Sequence, residues 1–489
     1  MHYLCSRLRY LLAMRRFFSF FYFFAVLSLT SFQSVQAQEV KSKVKTAFES
    51  FTKNPSLQNG MASLTVINSK TGEIVFDSNN QIGMPTASTL KVITSITALD
   101  LLGADFTFQT DLSYTGEIDS LGTLNGNIII DGKGDPTLGS DRYPQTKPEV
   151  ILANWVEAIK KLGIKNINGK IIADDKLFNG YDVPGTWMWT DIGNYYGAGV
   201  SALNWKENKL GINFTSSKPG QPATLNPVQK APFYNLINEV KTGSNGSGDK
   251  VYAYSAPYST EVFLRGTYGA DLKKTIEISV PDPALDLAYS LYDVLQRDSI
   301  LIADSVTTAK RLMNLDSLSL LQGNRNLIIA TKSPRMGEII HWFNQKSINL
   351  YGEALLKLIG GVSAMDFNTE NAANLVSKYW QNKLSIQPSA INTFDGSGLS
   401  PQNRVTTQAM AKIMQYAKGR PWYDEFLKSL PKINNTSMKS GTIGGVLGYT
   451  GYQIASDGQE YTFALLVNNY QGPAGQMRQR MFKLLDALK

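Results

Sequence analysis

The sequence predicts an α+β protein of more than one domain, with one domain interrupted by a large β-rich insertion. Three observations carry that expectation. At 489 residues the chain is too long for one ordinary hydrophobic core. Both ends alternate strand and helix patterns, whereas the middle, about 106–325, reads as short strands, turns and glycine-rich loops. A hydrophobic content of 43% against 18% charged residues places the chain among globular proteins, not disordered ones.

Residues 1–37 read as an export signal. Arg7, Arg9, Arg15 and Arg16 precede the apolar run "FFSFFYFFAVLSLT" (17–30), and "SVQA" offers Val35 and Ala37 as small residues for cleavage after Ala37. The run is short for a membrane span and no later stretch is long enough for one, so at most loose membrane association is expected. Next, "MASLTVINSKTGEIVFDSNN" (61–80) alternates apolar and polar residues about a turn and reads as a β-hairpin. "PTASTLKVITSITALDLLG" (85–103) carries a helical run from Ser88 to Leu102 that Gly103 stops. Strand texture begins near 106. Helices are expected at 149–162, where Ile151, Trp155, Ala158, Ile159 and Leu162 share a face, and at 282–296. "NLIIATKSPRMGEIIHWFNQKSINLYGEALLKLIGG" (326–361) gives a strand, a helix, a break and a helix. The tail adds a helix near 405–418, the hairpin "TSMKSGTIGGVLGYTGYQIA", the strand "YTFALLVNN" and a closing helix at 473–488. Segments 38–105 and 326–489 are therefore expected to form one discontinuous domain around the insertion 106–325.

Composition excludes several functions. Removing 1–37 lowers the net charge from +8 to +4, and no basic cluster or RNA-binding motif accompanies it, so nucleic acid is not an expected partner. The only cysteine, Cys5, and one of two histidines, His2, leave with the signal. That rules out a His/Cys zinc site and H-E-x-x-H, and no metal or organic cofactor is implied. A Ser-His-Asp triad would need His341, whose helical spacing in "EIIHWFNQ" favours a packed or half-exposed residue. "GTIGGVLG" (441–448) lacks the spacing of a phosphate-binding loop.

What remains is serine with a lysine base. A serine hydroxyl needs a base to take its proton, and Ser88 and Lys91, three positions apart on a helix, can face one cleft. Lysine serves only when neutral, which burial or a nearby cation promotes. The alternative is a capped helix with a solvent-facing lysine. Two further groups join the pair: Ser347-Ile348-Asn349 and Lys439-Ser440-Gly441-Thr442. Ser347 can relay a proton to a leaving group, and Asn349 can bond a substrate amide. Lys439 adds positive charge for a terminal carboxylate and helps keep Lys91 neutral. The hydroxyls of Ser440 and Thr442 can grip that carboxylate, and Gly441 lets the strand approach it. Decoys exist at Lys70-Thr71-Gly72, Lys241-Thr242-Gly243, Ser78-Asn79-Asn80 and Ser247–Lys250. Their settings, a tight turn or a glycine-serine loop, suit a recognition edge less well than the hairpin strand at Lys439.

The set S-x-x-K, S-x-N and K-[ST]-G is that of β-lactamases and penicillin-binding proteins. Together with "IIIDGKGDPTLGSD", "DGSGLSPQNRV" and "KSGTIGGVLGYTGY" in order, it makes the chain resemble the D-alanyl-D-alanine carboxypeptidase/endopeptidase family, the class C low-molecular-mass penicillin-binding proteins of peptidase family S13. The resemblance implies a β-lactamase/transpeptidase-like domain, an antiparallel sheet flanked by helices, with one or two domains inserted between the first two motifs. Ser347 lies 259 positions beyond Ser88, which leaves room for them. It implies Ser88 as acylated nucleophile, Lys91 as its base and Ser347 as its catalytic partner. Asn349, Lys439, Ser440 and Gly441 would bind substrate, and the N–H groups of Ser88 and Thr442 would form the oxyanion hole. Ile348 stands where Asp is frequent and Ser440 where Thr is. Peptidoglycan stem peptides and β-lactam antibiotics are the implied partners, in the periplasm, and a homodimer is left open. A β-lactamase or esterase on the same fold, and an inactive cell-wall-binding protein, are the competing readings.

Overall fold

Period-two alternation over residues 61–68 sorts their side chains onto two faces. The computed structural model describes residues 39–227, 233–313, 318–456 and 458–489; the expected signal and its cleavage point lie outside them. Met61–Asn68 pairs with Ile74–Ser78 as the expected hairpin and opens a six-stranded antiparallel sheet. Glu460–Asn468, Val446–Ile454, Thr436–Ile443 and Lys432–Ile433 follow in that order. Ala62, Leu64 and Val66 point to one face, where they meet Val44, Phe48 and Phe51 of helix 39–52 and Met477 and Met481 of helix Ala474–Leu485. Ser63 and Thr65 point to the other, where both hydroxyls lie within hydrogen-bond distance of Thr407 Oγ1, at 2.7 and 2.9 Å.

That second face carries the helices that build the site. Lys91–Leu102 and Asn349–Ala364 are buried over most of their circumference, with Thr407–Ala417 beside them. The helical run expected from Ser88 begins differently. Residues Ala87–Leu90 form a 3₁₀ turn, and the α-helix proper starts at Lys91. Ala87 holds φ +46°, a left-handed value that a non-glycine residue adopts at a cost of about 1–2 kcal/mol, and this breaks the α-helical ladder ahead of Ser88. No helix among the described residues is long and apolar enough to cross a membrane.

Between the two halves of this unit the chain builds two further cores, one nested in the other. The outer one has a mixed five-stranded sheet, ordered Val306–Thr308, Ile171–Asp174, Ile128–Asp131, Gln109–Tyr114, Asn326–Lys332. Helices Pro148–Lys161 and Pro283–Arg297 pack on it through Trp155, Ile159, Leu287 and Leu291. The inner one lies between residues 209 and 280 and is all β, with Ile212, Ala253, Val262, Leu264 and Ile278 at its centre. Strand Asn326–Lys332 falls on the C-terminal side of the expected junction at 325/326, yet its ladder partner is Gln109–Tyr114 of the outer sheet. The chain thus stays in that sheet as far as Lys332 before entering helix Met336–Lys346.

Candidate active site

Three turns converge on one cavity of about 770 Å³, lined by Ser88, Ser347, Asn349 and Thr442 among others. The first is the 3₁₀ turn. Thr89 ties it back to the Thr86 carbonyl through its N–H and its hydroxyl, at 3.3 and 2.6 Å. Two glycines fit against it. A Cβ on Gly398 would lie 1.9 Å from the Ala87 oxygen, and one on Gly441 would lie 2.7 to 2.9 Å from Thr86 O, Thr89 N and Ser88 N. Strand Thr436–Ile443 can therefore press its outer edge onto the Ser88 backbone only because residue 441 has no side chain.

The second turn joins helices Met336–Lys346 and Asn349–Ala364. Ser347 caps the first in the left-handed conformation (φ 57°, ψ 40°), Ile348 is extended, and Asn349 opens the second. Ile348 packs at the edge of the main core, so an apolar residue suits the position where Asp is frequent. The third is the segment 395–403, folded around a buried carboxylate. Asp395 accepts from the N–H groups of Gly398 and Ser400, from Asn403 Nδ2 and from the indole of Trp187.

Ser88 and Lys91 come together as expected. Lys91 is wholly buried and its Nζ lies 3.0 Å from Ser88 Oγ, 2.6 Å from Asn349 Oδ1 and 2.7 Å from the Ser397 carbonyl. Asn349 Nδ2 donates to the Tyr196 carbonyl at 2.7 Å, which fixes the amide so that its oxygen faces Lys91. A neutral amine has two N–H groups and one lone pair. The amide oxygen and the carbonyl can only accept, so they take both hydrogens. The lone pair is then left for the one partner that can donate, the Ser88 hydroxyl. Burial, and next the charge of Lys439, hold the Lys91 pKa well below its ordinary value, while Asp395 and Glu353 oppose them.

Ser347 and Lys439 form a second pair. Lys439 is buried, and its Nζ donates to Ser347 Oγ at 3.0 Å and to the Ser440 carbonyl at 2.9 Å. Burial alone lowers its pKa to about 7. Ser440 is half-buried in the strand opposite Tyr449, and Thr442 is exposed on the cavity wall opposite Leu447. The eight residues expected at the site thus lie on these convergent turns and one strand edge. The decoys lie elsewhere: Lys70–Gly72 in the first hairpin, Lys241–Gly243 paired with Thr267–Gly269 in the inner β-module. His341 is a half-buried helical residue with its ring edge-on to Trp342.

Sequence reasoning missed three contributors. The Ser397 and Tyr196 carbonyls are backbone groups and leave no residue signature. Glu353 could have been noticed, one helical turn beyond Asn349. Its buried carboxyl accepts from Gly396 N at 3.1 Å and Ser397 N at 2.9 Å, which sets the carbonyl that Lys91 uses. Burial and then the nearby Asp395 push its pKa up to about 8. The insertion also reaches the cavity, through Arg142, Asp191, Tyr195 and Glu207. Glu207 accepts from Arg142 Nε and Nη2 and from the Tyr351 hydroxyl of helix Asn349–Ala364.

The chain is similar to known proteins over most of its length. A D-alanyl-D-alanine carboxypeptidase of Actinomadura sp. (strain R39) is 23% identical over 88% of this chain and 82% of its own length. The D-alanyl-D-alanine carboxypeptidase DacB of Haemophilus influenzae is 24% identical over 81% of this chain and 83% of its own. The crystal structure of penicillin-binding protein 4 from H. influenzae superposes with a TM-score of 0.73, at 20% identity, over 87% of this chain and 95% of that one. The same protein complexed with a β-lactam gives 0.67. These likenesses show the fold, that of penicillin-binding protein 4. The model of the D-Ala-D-Ala carboxypeptidase 3 (S13) family matches residues 44–488, and the chain belongs to that family.

Proposed function

We propose that this chain is an exported serine-type DD-peptidase. It would cleave peptidoglycan stem peptides that end in D-Ala-D-Ala, as a carboxypeptidase and at cross-links, through an acyl-enzyme on Ser88. The observation that carries the reading is the Lys91 amine, buried 3.0 Å from Ser88 Oγ with two obligatory acceptors as its other partners. Family membership and the names of the relatives support it.

Ser88 Oγ attacks the carbonyl carbon of the penultimate D-Ala while its proton passes to Lys91 Nζ. The developing oxyanion is received by the backbone N–H groups of Ser88 and Thr442, brought together by the tight approach of Gly441. Collapse breaks the C–N bond, and the proton that Lys91 took from Ser88 passes through the Ser347 hydroxyl to the leaving amine, while the Lys439 ammonium holds that hydroxyl from 3.0 Å and keeps its charge. Water then attacks the ester and frees Ser88. A β-lactam presents the same amide and carboxylate and acylates the same oxygen. Export through residues 1–37, with cleavage after Ala37 and at most loose membrane association, places the reaction in the periplasm.

Intact mass of the mature protein after incubation with benzylpenicillin, beside Ser88→Ala, tests this. A one-drug adduct absent from the variant is expected, together with release of D-alanine from a D-Ala-D-Ala peptide. Labelling that survives Ser88→Ala would overturn the assignment.

A further inference from the structure

The inner β-module presents an unusual solvent face. In strands Asp249–Tyr254 and Glu261–Gly269, Val251, Ala253, Val262 and Leu264 fill the module's core. Alternation should leave polar residues outside. The outer positions carry the polar Lys250, Glu261 and Thr267 toward the strand ends, but Tyr252, Tyr254, Phe263 and Arg265 between them. The Arg265 guanidinium, paired with Glu239 at 2.6 Å, lies 5.9 Å from the Tyr254 ring and 5.4 Å from the Phe263 ring. Trp189, from the short helix laid across this strand, sits 6.4 Å from Tyr254 at 36°. Trp189 is 57% exposed and Tyr252 44%.

This face runs into the active cleft. Met188, next to Trp189, and Tyr196 both line the cavity that contains Ser88, and Tyr252 lies near enough to Tyr196 to influence its phenol. The Tyr196 carbonyl in turn fixes Asn349. An exposed aromatic patch continuous with a substrate cleft marks a place where more of the substrate lies. The exposed patch holds flat rings, phenol hydroxyls and the Arg265–Glu239 ion pair, with Ile237 beside Phe263 and Met188 at the cleft as its aliphatic members. Flat rings with polar edges match the C–H faces and hydroxyl rims of pyranose rings.

We propose that the solvent face of the inner β-module, centred on Trp189 and Tyr252, binds the sugar rings of the glycan strand to which the stem peptide is attached. This rests on the DD-peptidase reading, since the glycan is the covalent continuation of the peptide seated in the cleft. A stem of about five residues spans roughly 17 Å when extended, so a peptide held at Ser88 brings its sugar to the border of the cleft.

The test compares kcat/KM on a free stem pentapeptide with that on the same peptide attached to an N-acetylglucosaminyl-N-acetylmuramyl disaccharide. The wild type should prefer the glycan-linked substrate by roughly tenfold, the size of one or two ring stackings. Trp189→Ala combined with Tyr252→Ala should bring the ratio near one, with benzylpenicillin acylation and hydrolysis of the free peptide unchanged. A wild type without preference, or a preference that survives the double substitution, overturns the proposal. So does an equal gain from a second stem peptide in place of the sugar, which would make the face a peptide site. If neither peptide is hydrolysed, the DD-peptidase reading fails instead. Titration with the peptide-free disaccharide, followed by tryptophan fluorescence in wild type and Trp189→Phe, then decides the sugar site alone: a change confined to the wild type supports it and none overturns it.

Discussion

Two fully buried lysines, Lys91 beside the start of helix Asn349–Ala364 and Lys357 within it, have surroundings that differ in one respect. Near the start of the helix, Lys91 has a hydroxyl, an amide oxygen and a carbonyl within reach. Two turns further on, Lys357 donates to three backbone carbonyls, Asn179 and Tyr181 at 3.3 Å and Phe367 at 3.1 Å. Three carbonyls need three N–H groups, and only the ammonium has them. One hydroxyl among the partners lets the neutral amine satisfy every group around Lys91. Burial lowers both pKa values, that of Lys357 to about 8, with the charge of Asp182 opposing the shift and that of Lys310 adding to it. For Lys91 the Lys439 charge adds to burial, and Asp395 and Glu353 oppose it. Burial alone therefore does not make a lysine a base; the number of obligatory acceptors around it decides. Lys357 acts as a clamp that ties loop 179–181 of the insertion to the central helix, and its Nζ also sits over the Phe178 ring at 5.4 Å.

Substituting each lysine by methionine separates the two roles most sharply. Lys91→Met should slow acylation of Ser88 by benzylpenicillin about a thousandfold, the usual scale for losing a general base, while thermal unfolding shifts little. Lys357→Met should leave acylation within a few-fold. It strands three buried carbonyls, so the junction between loop and helix should weaken by roughly 2–5 kcal/mol. Amide exchange and protease cleavage around 178–182 read that out locally. Equal loss of acylation in both variants would break the comparison.

This contrast also marks how far the sequence could be read. Ser88, Lys91, Ser347, Asn349 and Lys439 announce themselves as residue types at fixed spacings, at the start of an expected helix, at an expected break between helices and in an expected hairpin strand. Lys357 sits in "ALLKLIGG" with nothing to distinguish it from a surface lysine, because its partners are main-chain carbonyls from two distant segments. The Ser397 and Tyr196 carbonyls were invisible for the same reason. The fold followed the same division. Local periodicity gave the hairpin and the main helices, whereas the nested second core and the pairing of Asn326–Lys332 with Gln109–Tyr114 depend on contacts between segments far apart in the chain. The 3₁₀ start of the nucleophile helix depends on the φ of Ala87, which nothing in "PTASTLK" encodes.

Glycine offers a test of intermediate size. Gly441 touches the backbone at Ser88, whereas no part of the Lys357 clamp does. Gly441→Ala would place a Cβ under 3.0 Å from three backbone atoms of the nucleophile turn, so the strand edge must retreat. Acylation should fall roughly 10- to 100-fold through misplacement of the oxyanion donors, with thermal stability nearly unchanged. A variant as fast as wild type would mean that the strand edge and Ser88 N–H do not form the oxyanion site together.

The smallest effect concerns pH and tells the two lysine settings apart without mutation. In the proposed mechanism acylation needs Lys91 neutral and Lys439 charged. Lys91 loses its proton as pH rises, so kcat/KM should climb along an acid limb well below the ordinary lysine range. Lys439 loses its charge as pH rises through about 7, so the free enzyme should decline above that, by at most about tenfold per unit. A bound carboxylate stabilises the ammonium and raises the Lys439 pKa, so in kcat the alkaline limb should move to higher pH. The two lysines interact, and the limbs report the pair as a whole. Lys357 titrates near 8 in the same window yet faces no reacting atom. Lys357→Met should therefore leave both limbs where they are, whereas Lys439→Arg, which cannot lose its charge, should remove the alkaline one. An alkaline limb that persists in Lys439→Arg and disappears in Lys357→Met would transfer the role of carboxylate cation away from Lys439 and make the clamp part of the chemistry.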